Sequence, residues 1–286
     1  MATANTQFYK SVLLIGSTPI PAYPGATLRC DKNWAIPPII GNYWQWNYGI
    51  GFRQPVVDIN LVVRDKPGEA LSASFLNMFM TRSADAAHDT TAITGGIQYW
   101  DGRTGFTMNG AKADSFSISC AKGEDIQMSV RFVGTTITPL GSAPTVSAWD
   151  SAQILRFKGV NLGGSLADKI WRFGLSFSNN HTPDMSLNGS EFPAAQNAGM
   201  MTVGFNCRAQ AADAAAIEAL DASGPFTQTI VITGSTKTCT FTLNGLLANN
   251  PSDRVITVPR NMRDYVWSCL GGDGQSTPPM TITSTF

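Results

Sequence analysis

The sequence predicts a mainly β protein with two tandem β-sandwich or barrel domains, each with one packed α-helix and a long β-hairpin. Three observations predict this class: an internal repeat, short segments in which apolar and polar residues alternate, and a length of 286 residues. Period-two alternation is typical of strands that bury one face. A chain of this length is enough for two domains that each bury a core. We place the first domain, with an extended N-terminal arm, at 1–145 and the second at 146–286.

The internal repeat consists of matches that occur in the same order in both halves. Trp46–Leu61 resembles Trp171–Leu187 through a shared Trp-x-aromatic-Gly-Ile/Leu-x-Phe pattern. FTMNG at Phe106–Gly110 returns as FTLNG at Phe241–Gly245, an offset of 241 − 106 = 135. A candidate helix lies between the two matches in each half. Short aromatic and Asn-Gly patterns also recur by chance in β-rich chains, but their common order favours a duplication.

The first domain begins with an extended arm. Residues 1–40 carry several prolines, which disfavour helix, and we expect the arm to lie on a neighbouring molecule. Trp46–Phe52 and Val56–Val63 are predicted as two strands joined by a turn at Gln54-Pro55. Gly68–Arg82 is predicted as a helix that covers a sheet, because its apolar side chains share one face.

Two hairpins complete the first domain. Ile97–Trp100 and Phe106–Met108 flank an Asp-Gly turn at residues 101–102, where the backbone needs positive φ. The clearest hairpin lies between residues 116 and 132, since apolar residues alternate with serines and other polar residues on both sides of the AKGED turn.

The second domain follows a segment rich in Thr, Ser, Pro and Gly, Gly134–Ala152, which we interpret as the linker. An Ala-rich segment, Gln210–Ala222, is predicted as its helix. Strands are predicted at Ile154–Phe157, Trp171–Phe177, Thr229–Ile232, Cys239–Leu243, Val255–Val258, Tyr265–Cys269 and Met280–Thr283.

Charge and cysteine content exclude several function classes. Lys and Arg together number 20, as do Asp and Glu, so no net positive charge favours direct wrapping of nucleic acid. The five cysteines form no CxxC pair, and Cys120, Cys207 and Cys239 lie in alternating runs, which predicts buried thiols in a reduced compartment. Neither a membrane span nor a signal peptide is recognisable, so we expect a soluble protein made in the cytoplasm.

Candidate catalytic residues are few. His88-Asp89 lies in a predicted loop, His181 is expected as a solvated turn residue, and Glu124-Asp125 is expected as a solvated hairpin tip. Trp46 and Trp171 are expected in the core rather than stacked on a sugar. No nucleophile elbow, P-loop or dinucleotide fingerprint occurs. We therefore expect no enzyme activity, no metal and no cofactor.

Two segments resemble one known family. Residues 113–136, ADSFSISCAKGEDIQMSVRFVGTT, resemble the hairpin of tail tube proteins from long-tailed bacteriophages. Residues 172–205 are similar to the second-domain counterpart, including its Asn-Asn and Thr-Pro-Asp turn. The cysteines and the proline-bearing arm depart from the pattern. A tail-tip adhesin or receptor-binding protein of β-sandwich fold is the alternative.

The resemblance implies a virion protein, assembled in the host cytoplasm, whose stacked rings line a channel for double-stranded DNA. Family rings present six domains, so a two-domain chain implies homotrimeric rings with pseudo-sixfold symmetry. Tape measure, tail terminator and tail-tip proteins are the implied partners. The candidate lumen or inter-subunit residues are Ser115, Ser117, Ser119, Lys122, Glu124, Asp125, Gln127, Ser129 and Arg131 in the first hairpin, and Asn179, Asn180, Asp184 and Ser186 in the second.

Overall fold

The fold is almost entirely antiparallel β-sheet with short helical segments. The computed structural model describes residues 12–22, 27–35, 49–81, 90–100, 103–145, 152–163, 169–184, 192–210, 213, 215, 217–219, 224–248, 256–257, 262–270 and 278–286.

The described residues of the first half form nine strands and one helix. They are β1 Val12–Ile15, β2 Thr18–Pro19, β3 Thr27–Ala35, β4 Gly49–Val62, α1 Ala73–Met80, β5 Ile97–Trp100, β6 Gly105–Asn109, β7 Lys112–Ala121, β8 Gln127–Val133 and β9 Thr136–Leu140.

Where the second half is described it forms ten strands, and Ala215 and residues 217–219 between them are helical. The strands are β10 Val160–Leu162, β11 Ile170–Ser178, β12 Thr182–Asp184, β13 Ala195–Asn197, β14 Thr202–Gln210, β15 Phe226–Thr233, β16 Thr238–Ala248, β17 Ile256–Thr257, β18 Met262–Cys269 and β19 Met280–Ser284.

One large sheet runs through both halves. Its strand order includes β3-β4-β8-β7 from the first half, followed directly by β11-β14-β18-β16 from the second. The junction is an antiparallel pairing of β7 with β11, from Arg172↔Ala121 to Ser178↔Ser115. The two halves are therefore joined edge to edge by backbone hydrogen bonding as well as by the chain.

The strand orders of the two halves correspond. The order β3-β4-β8-β7 matches β11-β14-β18-β16, and the second layer β1-β5-β6-β9 matches β10-β15-β16-β19. The paired residues Ala113↔Phe132 correspond to Ala248↔Trp267, with offsets of 248 − 113 = 135 and 267 − 132 = 135. The FTMNG and FTLNG segments, in β6 and β16, share this offset. Gly110 and Gly245 both have positive φ, 56° and 62°.

The alignment of Trp46–Leu61 with Trp171–Leu187 is wrong. It equates β4 with β11, whereas the sheet order equates β4 with β14 and β3 with β11. Both β4 and β14 are followed by a helix, as the correspondence requires. Trp46 lies outside the described residues, and Asp184 lies in the short strand β12. The shared aromatic-Gly pattern reflects strand composition rather than position.

The predicted turn at Gln54-Pro55 does not exist, because β4 runs unbroken through it. Gly134 N donates to Pro55 O at 3.0 Å, just beyond the last β4–β8 pair, Val56↔Val133. The Pro55 C=O faces the end of β8, and an N–H at this position would face the same way. Proline is therefore tolerated here, because the hydrogen bond that it cannot donate is the last one of the β4–β8 ladder.

Three other predicted boundaries are wrong. Helix α1 starts at Ala73 rather than Gly68, since the Ser72 side chain caps it at Phe75 N (3.2 Å). The predicted linker contains β9, which pairs with β6. The segment Ile154–Phe157 is not a strand: it makes isolated bridges and leads into a 3-10 turn.

The remaining predicted second-half strands agree with β11, β15, β16, β17, β18 and β19, and the 116–132 hairpin is confirmed as β7–β8. The loop around His88 lies outside the described residues.

A single apolar core lies between the layers. Phe79 of α1 packs edge-on against Phe116 at 5.2 Å between ring centroids, so the helix covers the sheet as predicted. Phe116 also stacks on Phe177 at 5.2 Å and contacts Phe241 at 6.4 Å, and both of these belong to the second half. The halves therefore share one core rather than two sealed ones.

The predicted burial of three cysteines is confirmed. Cys120, Cys207 and Cys239 are buried, as is Cys269. Burial raises the pKa of Cys239 to about 12 and that of Cys269 to about 12. The pKa of Cys120 rises to about 11 through burial and the nearby Glu124 and Asp125 carboxylates.

These thiols predict a loss of stability in alkaline solution. Unfolded thiols ionise near pH 8.5, whereas the buried ones stay neutral, so the free energy of unfolding is unaffected below that pH and falls above it. For Cys239 we expect a loss of about 2 kcal/mol at pH 10. Denaturant titrations at pH 7.5 and pH 10 measure this loss, and a Cys239→Val variant should lose correspondingly less. Equal losses in both proteins would contradict the prediction.

Candidate functional site

Across β4, β8, β7, β11 and β14, the large sheet carries a polar face opposite its apolar face. Residue pairing across five strands places Asn60, Ser129, Ser117, Ser176 and Gly204 in one row. Parallel rows on the same face are Asp58, Arg131, Ser115, Ser178 and Thr202, and Gln127, Ser119, Gly174 and Asn206. The residues between these rows, such as Phe116, Ile118, Leu175 and Phe205, point into the core.

Hydrogen bonds and ion pairs balance the charge on the polar face. Arg131 Nε donates to Asp58 Oδ1 at 2.7 Å, and this bond raises the pKa of Arg131. Arg208 Nε and Nη2 each donate to Asp264 at 2.7 Å in a two-point contact. Ser129 Oγ donates to Asn60 Oδ1 at 2.6 Å. The result is a surface of small hydroxyl and amide groups on which Arg131 and Arg208 are each neutralised by an aspartate.

The polar residues predicted for the first hairpin divide into two groups. Ser115, Ser117, Ser119, Gln127, Ser129 and Arg131 all lie on the polar face. Lys122, Glu124 and Asp125 lie at the hairpin turn instead. Lys122 Nζ lies 4.3 Å from the centroid of the Trp171 ring, and Asp125 pairs with Arg156 Nε at 2.7 Å.

Trp171 is half-buried rather than a core residue, contrary to expectation. It is the extra residue at a bulge, because Ile170 pairs with Ala209 and Arg172 with Arg208. The bulge turns the indole out to Lys122. Trp267 is the fully buried tryptophan, and it stacks on Phe205 at 5.6 Å.

The residues predicted for the second hairpin do not form one surface. Asn179 is fully buried, and its Nδ2 donates to Phe79 O at 2.9 Å and to Ala113 O at 3.0 Å. Asn180 is exposed, has a positive φ of 50°, and its Nδ2 donates to Met200 O at 2.7 Å. Asp184 is exposed in β12, and Ser186 lies outside the described residues. Asn179 therefore links the two halves through buried hydrogen bonds.

His181 is not a solvated turn residue. Its side chain is buried, with Nδ1 at 3.0 Å from Asp114 Oδ1 and Nε2 at 2.7 Å from Thr90 Oγ1. Asp114 and Thr90 belong to the first half, so His181 is a second buried polar link between the halves. No alternation or motif in the sequence signals this contact, because the three residues are far apart along the chain.

The β12–β13 hairpin crosses onto the first half through Gln196. Its Nε2 donates to Gly134 O at 2.8 Å, and Lys112 Nζ donates to Gln196 O at 2.7 Å. Pro55 lies opposite Gly134 and has no N–H for that carbonyl, so the Gln196 amide supplies the missing donor. Sequence reasoning missed this contact, and an in-strand proline is the signal that marks it.

Comparison with known proteins identifies the family. In the described part of the chain, no helix is long and apolar enough to cross a membrane. The same residues contain no group of three His, Cys, Asp or Glu that could hold a metal ion. Residues 50–269 match the family model described as "Phage tail tube protein", which favours the tail tube over the adhesin. No curated protein matches the chain. The chain therefore belongs to the phage tail tube protein family, as a structural protein of the virion tail that assembles with itself into a tube.

Proposed function

We propose that three copies of the chain close into a ring with pseudo-sixfold symmetry, and that rings stack into a tube that conducts double-stranded DNA. The pairing of β7 with β11 carries this proposal. It joins the last strand of one four-strand unit to the first strand of the next. Repeating the same joint between copies closes the sheet into a barrel without free edges.

The two strands left for the joint between copies can be identified. Among the described strands, β3 ends the large sheet on one side. In the second half, β17 is the counterpart of the part of β7 that pairs with β11. Ile256 and Thr257 pair with Arg263 and Met262 of β18 as Ile118 and Ser119 of β7 pair with Met128 and Gln127 of β8. We infer that β17 of one copy pairs with β3 of the next.

The polar face suits a channel wall for DNA. Its serines offer hydrogen bonds without charge, and two of its arginines, Arg131 and Arg208, are paired with Asp58 and Asp264. Affinity for DNA rises with each phosphate that a cation neutralises, so a wall with paired charges holds the duplex weakly. We infer that Ser115, Ser117, Ser119, Gln127, Ser129 and Arg131 face the lumen.

The proposal also includes the place of assembly, the partner proteins and the lack of an enzymatic step. Tubes assemble in the host cytoplasm, meet tape measure, tail terminator and tail-tip proteins, and act without an enzymatic step or a cofactor. The duplicated strand order supports a division of the chain into domains at 1–145 and 146–286 that share one core.

The ring stoichiometry is the decisive test of the proposal. Cryo-electron microscopy of tubes from the purified protein, with mass per unit length, should give three chains per ring and density for six similar units. Rings of six chains would refute the trimer, and a protein that stays monomeric under all assembly conditions would refute the ring.

Added positive charge on the wall should slow DNA passage. A Ser117→Lys, Ser129→Lys double variant places two exposed cations per copy on the central row, so we expect tubes to form but ejection to slow several-fold at low salt. The rate of receptor-triggered DNA release at 50 and 300 mM salt measures this. Ser117→Asn, Ser129→Asn is the neutral control. Equal rates for both variants at low salt would place this face away from the channel.

A further inference from the structure

We propose that Leu247 and Leu270, called the edge patch here, form the docking site for residues 36–48 of a second copy. The inference rests on the proposed ring, and it adds a side-chain contact to the joint between copies. Both residues are exposed large hydrophobics, at 42% and 64%. They lie on β16 and immediately after β18, the two strands at the outer end of the second half.

The first half shows how the counterpart of the edge patch is covered. Lys112 and Thr135 occupy the corresponding positions, since 247 − 112 = 135 and 270 − 135 = 135. Around them, Gln196 bonds to Gly134 O and receives the Lys112 ammonium group. Val133, which pairs with Lys112, is only 3% exposed. Gln196, which covers these positions, belongs to the connection between β11 and β14, residues 179–201.

The second half has the same backbone arrangement, and no described residue covers it in that way. Leu247 pairs with Ser268 as Lys112 pairs with Val133, and Ser268 is only partly buried. Leu270 N donates to Gly245 O at 3.0 Å, and Thr135 N donates to Asn109 O at 3.0 Å next to the corresponding Gly110. The surface is therefore repeated, but polar side chains in the first half are replaced by leucines in the second.

The matching connection in the first half fits the leucines chemically. Residues 36–48 join β3 to β4 as residues 179–201 join β11 to β14. Their sequence, IPPIIGNYWQWNY, has no charged residue, whereas residues 179–201 include His181, Asp184 and Glu191. The uncharged segment 36–48 matches the apolar edge patch, just as the polar segment 179–201 matches Lys112 and the Gly134 carbonyl that Gln196 binds. Because β3 reaches the end of the sheet that the ring joins, the occupant comes from a second copy.

Cross-linking between two distinguishable copies tests the occupant. Copies carrying Leu247→Cys and longer, tagged copies carrying Ile40→Cys or Trp44→Cys are co-assembled and treated with a short bismaleimide. We expect a cross-linked dimer of mixed size for at least one pair. A Ser117→Cys copy, with its thiol in the middle of the polar face, is the control and should give none. Cross-links only within single chains would overturn the proposal.

Charge placed on the edge patch tests its contribution to assembly. Leu247→Asp, Leu270→Asp should raise the protein concentration needed for tube formation at least tenfold and leave the melting transition of the unassembled chain unchanged. Val266→Asp is the matched control, because Val266 is 52% exposed on β18 and its counterpart Arg131 pairs with Asp58 instead. Normal assembly of the double variant overturns the docking site alone. Failure of the wild-type chain to form rings overturns the proposed function instead.

Discussion

A Cys30→Pro chain should fold normally and form no tubes. Pro55 pairs with Cys30 across β3 and β4, and the Pro55 C=O points to β8, where Gly134 N binds it. Pro55 therefore makes no hydrogen bond to Cys30, so the N–H and C=O of Cys30 point away from β4, to the edge that the ring joins. Proline removes that outward N–H and places its ring in the path of an added strand. On an edge strand such a proline is tolerated by the fold.

Arg29→Pro is the control, one residue away. Arg29 and Val56 form a hydrogen-bonded pair, unlike Cys30 and Pro55, so the Arg29 N–H faces β4. Loss of that N–H breaks the β3–β4 ladder. We expect this variant to lose about 2–3 kcal/mol of stability in addition to assembly. Electron microscopy scores tubes, and denaturant titration of the unassembled chains measures stability. Normal tubes from Cys30→Pro would exclude β3 from the joint between copies.

Asn179→Leu should cause the largest loss of stability among single substitutions of the polar residues described above. The substitution keeps the side-chain size but leaves Phe79 O and Ala113 O without the amide that binds them in a fully buried site. An unsatisfied buried carbonyl costs about 1–3 kcal/mol, so we expect the free energy of unfolding to fall by about 3–5 kcal/mol. Because both acceptors lie in the first half, the loss weakens the contact between the halves.

Ser176→Ala is the control for Asn179→Leu. Ser176 Oγ donates to Gly204 O at 3.4 Å on the exposed face, and we expect a change within about 0.5 kcal/mol. Chemical denaturation of both variants in the unassembled state measures the difference. A loss below 1 kcal/mol for Asn179→Leu would show that water or a shifted side chain satisfies the two carbonyls.

Local patterns were sufficient to predict the β7–β8 hairpin and several second-half strands but not the contacts between halves. They also missed β1 and β3: the predicted arm pairs with β5 and β4 of its own chain instead of lying on a neighbour. The β7–β8 hairpin is predictable because Phe116, Ile118 and Met128 alternate with serines, and alternation depends only on neighbouring residues. Pro55 misled the prediction because proline marks turns on average, and only the end of β8 makes it acceptable within β4. Trp171 misled it because a one-residue bulge reverses which side of the strand is buried.

Buried polar links between the halves were beyond sequence reasoning for a different reason. Asn179 and His181 follow β11 in a segment whose Asn, His and Pro composition is typical of an exposed turn. Their burial depends on β11 lying beside β7, which brings Asp114 and Ala113 next to them. Alternation predicted the polar face of the first hairpin, whereas Asn179, a candidate surface residue taken from the family resemblance, is fully buried.

The covalent link between β7 and β11 changes the kinetics expected of assembly. In the proposed ring, each copy brings one such joint already made, at the high effective concentration of a tethered pair, so only alternate joints depend on diffusion and on protein concentration. Closing that ring costs the translational freedom of three bodies rather than six. The proposal therefore allows the permanent joint and the bimolecular one to carry different side chains, as Lys112 and Leu247 do at corresponding positions.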